Sequence, residues 1–172
     1  MGAGFRVNGV TTLTHGSVAQ KGTGTATGPV SVVLHANTTA VGNVGAGEDD
    51  LMTYSLPANT LSANGKGVRI TACVTYAANG NTKTIKLYFG STVLVTRSAG
   101  DNGSFIKLEG YVTRTGASTQ EASGFLYFTN GSALTRSTPA EDTTGAITIK
   151  MTGEATSNDD IVQRVLIVEA LN

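Results

Sequence analysis

"VRITACVTYAANGNTKTIKLYFG", residues 68–90, decides how the rest of the chain is read. Val68, Ile70, Ala72, Val74 and Tyr76 fall on one face of its opening stretch, and Arg69, Thr71, Cys73 and Thr75 on the other. That alternation is the period of a half-buried strand, and a helical period would scatter the same apolar residues around the axis. The Asn79-Gly80 pair suits the positive φ values of a hairpin turn, which predicts "TIKLYFG" as an antiparallel return strand. Working outward, "VSVVLHA" follows Pro29 and is succeeded by "LMTYSLP". Beyond residue 90 come "STVLVTRS", "SFIKLEGYVTRT", "ASGFLYFTN", "AITIKMTGEA" and "DIVQRVLIVEAL". Clusters of Gly, Asn, Ser or Asp bound these runs, giving about eight strands in a meander with no obligatory helix. "PAEDTTG", residues 139–145, reads as a surface loop. The expected fold is all-β, an antiparallel two-sheet jelly-roll sandwich, with an up-and-down barrel as the second choice. No fixed-period repeat points to a β-helix or propeller.

Composition agrees and removes several functions. The 172 residues suit one compact domain, and 22 glycines with abundant threonine describe short strands and tight turns. Formal net charge is zero and 14% of residues are charged, so there is no basic field for nucleic acid or an anionic membrane surface. Cys73 is the sole cysteine, which excludes an intrachain disulfide or a CxxC pair and predicts a small core residue. With no long apolar run and no secretory signal pattern, the expectation is a soluble chain made in the cytoplasm.

Chemistry-bearing residues are sparse. Ser31 and His35 stand four apart on one strand, about 13 Å from each other by the strand rise, too far for a relay. "GEDD" at 47–50 and "NDD" at 158–160 resemble pieces of a calcium loop but lack its alternating ligands and distal glutamate. They read as polar shoulders of strands, with Glu48, Asp49 and Asp50 in water. Glu141 and Asp142 could oppose Glu109 or Glu121 as glycosidase carboxylates do, although no tryptophan platform for sugar exists. "GTGTATG" at 22–28 lacks the ending of a phosphate-binding loop, and its glycines read as flexibility. Tyr88, Tyr111 and Tyr127 serve either recognition of glycans or proteins, or cross-strand pairs that hold register. The expectation is a non-enzyme with no catalytic residue, no metal and no cofactor.

Two segments point to assembly. "IVQRVLIVEAL" is apolar on both faces, with Ile161, Val165, Ile167 and Leu171 on one and Val162, Leu166, Val168 and Ala170 on the other. In a two-layer domain, one of those faces calls for cover by another subunit. Ile161, Val162, Val165, Leu166, Ile167, Val168 and Leu171 are therefore the expected interface of an oligomer. Residues 1–28 hold few large apolar side chains apart from Phe5, Val7, Val10 and Leu13. They read as a flexible attachment arm ordered against a partner, or equally as a frayed terminus, ahead of a jelly-roll domain at 29–172.

"VGNVGAGEDDLMTYSLPANTLSANGKGVRITACVTYAANGNTKTIKLYFGSTVL" also carries a resemblance. Gly-Glu-Asp-Asp-Leu, Ser-Leu-Pro-Ala-Asn-Thr-Leu and Asn-x-Lys-x-x-Lys-Leu-Tyr-Phe-Gly follow in the order of a module in virion proteins of tailed bacteriophages. This chain resembles that family over about residues 36 to 172. The resemblance implies a jelly roll similar to tumour necrosis factor, commonly a homotrimer capping fibres, spikes or capsid projections, and it implies no enzymatic residues. Location in the virion follows, with the arm gripping capsid, neck or tail proteins. The alternative is a receptor-binding knob of a tail fibre or spike whose loops "RSAGDNGS" and "STPAEDTTG" meet a host glycan or protein. Leu51, Leu56 and Leu61 are expected to hold the Pro57 turn against the sandwich.

Overall fold

The computed structural model describes residues 31–171, so the arm residues Phe5, Val7, Val10 and Leu13 lie outside the described residues. Eleven strands form, and among the described residues there is no helix. They are β1 (Val32–Asn37), β2 (Val41–Gly42), β3 (Gly47–Leu56), β4 (Gly67–Tyr76), β5 (Lys83–Phe89) and β6 (Thr92–Ala99). After them come β7 (Phe105–Gly116), β8 (Thr119–Phe128), β9 (Gly131–Ser137), β10 (Ile147–Ala155) and β11 (Ile161–Leu171). The larger sheet runs β1-β11-β4-β7-β8-β9, with β2 also paired to β11, and the smaller runs β3-β10-β5-β6. All the strand pairings are antiparallel. The chain passes repeatedly from one sheet to the other, which is the winding of a jelly roll, and the β8–β9 hairpin widens the larger sheet.

That winding corrects the meander. β4 belongs to the larger sheet and β5 to the smaller, so Asn79-Gly80 is not a hairpin turn. Residues 77–82 carry the chain across the sandwich, and Gly80 does not adopt a positive φ. β9 is an edge strand whose first four residues are exposed, so it shows no apolar period. It forms because Thr129 and Asn130 turn the chain back onto β8, pairing Phe128 with Gly131 and Ala122 with Ser137.

The core lies between the sheets. Val68, Ile70, Ala72, Val74 and Tyr76 are buried as their alternation requires, opposite Ile85, Leu87 and Phe89 of β5 and Ile149 and Met151 of β10. Leu51, Leu56 and Leu61 are buried about the Pro57 turn, where the Thr60 amide donates to the Pro57 carbonyl at 3.2 Å. Cys73 is a correction: it is half-buried on the outer face, where it pairs with Val165 of β11 and Lys107 of β7, and burial pushes its thiol up. The loop at 139–145 is likewise bolted down, with Pro139 and Thr143 buried and the Glu141 amide donating to Gln120 Oε1 at 3.0 Å.

β11 departs most from simple alternation. A bulge between Gln163 and Val165 adds a residue and reverses the phase. Ile161 and Gln163 point inward before it, and Leu166, Val168 and Ala170 point inward after it. Gln163, fully buried, accepts from the Met52 amide at 2.9 Å and donates to the Val165 carbonyl at 3.1 Å, tying β11 to β3. Ile161, Leu166 and Val168, expected at a subunit interface, are therefore enclosed by the chain's own core. Val162, Val165, Ile167 and Leu171 are half-buried and point the other way.

Candidate functional site

The two outer faces differ in chemistry. On the smaller sheet the acidic trio belongs to β3: Glu48 and Asp50 are exposed as expected but face cations and hydroxyls, and Asp49 turns the other way onto a backbone amide. Glu48 accepts from Lys86 Nζ at 2.5 Å, Thr152 Oγ1 at 2.7 Å and Tyr88 OH at 2.9 Å. Asp50 accepts from Lys150 Nζ at 2.7 Å, and Asp49 from the Val44 amide at 2.8 Å. Thr84 and Ser98 complete a hydroxyl pair at 2.9 Å. This face is polar and carries two ion pairs, with Glu154 exposed opposite Glu48 and outside any ion pair among the described residues.

Lys86, with Thr152 and Tyr88 adding to it, holds the Glu48 carboxyl down at about 2 from its ordinary 4.5. A folded-state pKa below the unfolded value stabilises above pH 4.5, and the contribution disappears as pH falls toward 2. Because the pair is one-third exposed, it is worth no more than about 1 kcal/mol. Urea unfolding of wild type and Glu48→Gln should differ by that amount at pH 7 and converge near pH 2. Parallel curves over that range would show that the carboxylate contributes nothing.

The outer face of the larger sheet is different. Its β11 portion presents Val162, Val165, Ile167 and Leu171, with Thr71, Cys73 and Thr75 of β4 beside them. Further across stand Phe105, Tyr127 and Leu134, exposed by 56, 44 and 67%. Tyr111 meets Phe125 edge to face, with ring centroids 5.8 Å apart. Three ion pairs lie here, Arg69 with Glu169 at 2.5 Å, Lys107 with Glu109 at 2.8 Å and Arg136 with Glu121 at 2.7 Å, while the exposed Arg164 donates to Thr75 Oγ1 at 3.1 Å and has no carboxylate partner among the described residues. The surface is apolar and aromatic with little net charge, which suits contact with another macromolecule better than solvation alone.

The residues considered for catalysis are spread apart. A bulge between Val33 and His35 turns His35 inward onto Tyr54, at a stacking distance of 4.6 Å, while Ser31 Oγ donates to Glu169 Oε1 at 3.4 Å on the other side. Glu141 accepts from the Ser91 amide at 2.7 Å, far in role from the glutamates of Arg136 and Lys107. In "NDD", Asn158 Oδ1 accepts from the Gly45 amide, and Asp160 accepts from Asn79 at 2.5 Å and Asn81 at 2.8 Å. Among the described residues, no three His, Cys, Asp or Glu side chains converge as a metal site would need.

The two loops named for the receptor-binding alternative lie at opposite ends of the sandwich. Asp101 and Gly103 pack by Ala77 and Lys83 at one end. Glu141 and Thr143 pack by Ser91 and Ala117 at the other.

No protein-family model matches the chain, and no curated protein matches it. Among solved structures, the CBM2 module of Lactobacillus casei BL23 phage J-1 evolved Dit aligns with a TM-score of 0.46 at 8% identity, covering 84% of this chain and 98% of that one. Infectious bursal disease virus Gt strain aligns at 0.34 with 13% identity over 84% of this chain, and the VP2 subviral particle of that virus at 0.32 with 14% over 83%. The alignment spans about a third of each of these latter chains, 33 and 32%. The jelly roll is established by the strand order and not by these distant likenesses.

Proposed function

We propose that the chain is a non-enzymatic structural protein of a bacteriophage virion. In this reading it is a homotrimer that decorates or projects from the capsid, and residues 1–28 hold it to a neighbouring virion protein. The motifs of residues 47–51, 55–61 and 81–90, in that order, support the virion assignment. The observation that carries the assembly role is the asymmetry of the two outer faces: one is a polar lattice with cross-strand ion pairs, the other carries on β11 an apolar patch of Val162, Val165, Ile167 and Leu171. An uncompensated apolar sheet face on a small domain favours covering by a neighbouring copy of the chain, which in a three-fold ring meets it with a different surface. Phe5, Val7, Val10 and Leu13 would supply the arm's contacts, and the chain's zero net charge disfavours nucleic acid or membrane as partner.

Native mass spectrometry at micromolar concentration should give a trimer. Val165→Asp with Ile167→Asp should give folded monomer, because both side chains point outward. A monomeric wild type, or a trimer indifferent to the double substitution, removes this interface. Capsids stripped of the protein should rebind the full chain and lose it when residues 1–28 are deleted. Binding to host cells without the arm would instead favour the alternative role, a receptor-binding knob of a tail fibre or spike.

A further inference from the structure

We infer that the β7–β9 end of the larger sheet's outer face is a subsite for a neutral oligosaccharide. A shallow, open groove of about 550 Å³ lies there, lined by Tyr111, Thr113, Glu121, Ser123, Leu134 and Arg136. Its size falls in the ligand-pocket range of about 300–1,000 Å³. Strand register builds it: Tyr111 is opposite Ser123, Ser123 opposite Arg136, and Phe125 opposite Leu134.

Three features select the ligand. The first is an aromatic surface of fixed orientation, since Phe125 holds the Tyr111 ring at 83° and a sugar's C–H face packs against such a ring. The second is a plane of mixed donors and acceptors. Arg136 gives Nε and Nη2 to the two oxygens of Glu121 at 3.0 and 2.7 Å, which leaves three guanidinium N–H donors and the remaining carboxylate lone pairs facing solvent. Together with the hydroxyls of Ser123 and Thr113, that set matches vicinal diols, which donate and accept at once. The third is charge balance. Arg136 is cancelled by Glu121, so a phosphate or carboxylate ligand would have to displace the glutamate, and a cation the arginine.

Without tryptophan the aromatic platform is small, so a single site binds in about the millimolar range. The inference does not depend on the virion reading. The subsite is two or more strands away from Val165 and Ile167, so it stays open if that pair is covered.

The test is amide NMR on the full chain titrated with maltohexaose, cellohexaose and chitohexaose. At least one should give saturable shifts at Tyr111, Ser123 and Leu134. Tyr111→Phe should keep the affinity, Tyr111→Ala should abolish binding, and Arg136→Ala should weaken it about tenfold. Arg136 is exposed, so that variant tests the site even if Tyr111→Ala fails to fold. No saturable shift at these residues with any probe overturns the inference, as does equal affinity in Arg136→Ala or displacement of the sugar by inorganic phosphate. The mass of the same sample reports the oligomer separately, so one reading can fail without the other.

Discussion

Lys83→Met should lower the stability of the domain by about 3 kcal/mol or more. Lys83 opens β5, in phase with Ile85, Leu87 and Phe89, and is fully buried. Its Nζ donates to Asn79 Oδ1 at 2.8 Å, the Asn81 carbonyl at 3.0 Å and the Asn79 carbonyl at 3.2 Å, with the Asp101 carbonyl at 3.4 Å. The same asparagines are held from the other side by Asp160, which also accepts from the Ser157 amide at 3.0 Å. One head group thus fastens the crossing at 77–82 to the loop after β6, and through Asp160 to the turn before β11. Methionine matches the stem in volume and removes the donor from the part-buried carbonyls of Asn79, Asn81 and Asp101, each costing about 1 kcal/mol or more, while Asn79 Oδ1 keeps the Asn81 amide at 3.1 Å. Urea unfolding should show a lower midpoint at unchanged slope, with faster hydrogen exchange at residues 100–104. A loss within about 0.5 kcal/mol would mean that water or a loop shift satisfies those oxygens as well as lysine does.

The burial of Lys83 was not legible in the sequence: it stands with the turn ahead of "TIKLYFG", and its acceptors come from loops that only the fold brings together. The strand Val68–Tyr76 and the burial of Leu51, Leu56 and Leu61 were legible, because each depends on local period or turn chemistry. What lay beyond the sequence depends on contacts distant along the chain. Asn79-Gly80 has the composition of a hairpin turn, yet which sheet receives the next strand is settled by the whole winding. The bulge at Gln163 leaves no compositional mark, and it moved Leu166 and Val168 from an expected interface into the core. Glu48 looked like a solvated acid because Lys86, Tyr88 and Thr152 approach it from strands 38 to 104 residues away. In the candidate sugar subsite the tyrosine was visible, but β9, which brings Leu134 and Arg136 beside it, was not.

Gly124→Ala should cost about 2–4 kcal/mol, although Gly→Ala within a strand normally stabilises by reducing the freedom of the unfolded chain. Gly124 lies in β8 opposite Gly110 of β7 and Thr135 of β9, where the sandwich closes against β6. A Cβ there would stand 2.3 Å from the Leu94 carbonyl oxygen and 2.7 Å from Thr135 Oγ1. The obstruction is backbone and cannot rotate away. It also falls on a used contact, because Thr135 Oγ1 donates its one hydrogen to that Leu94 carbonyl, with the Gly124 carbonyl 3.3 Å away. Gly110→Ala is the control: its Cβ would meet Leu94 Cδ1 at 2.7 Å, the tip of a side chain that can shift, so the loss should be clearly smaller. Displacing β8 and β9 from β6 would also move Leu134 and Arg136 relative to Tyr111, so the alanine variant should bind the responsive hexasaccharide more weakly even where it remains folded. Equal stability of the two variants in urea would show that backbone contact between β6 and the β8–β9 hairpin does not set how closely the sheets approach.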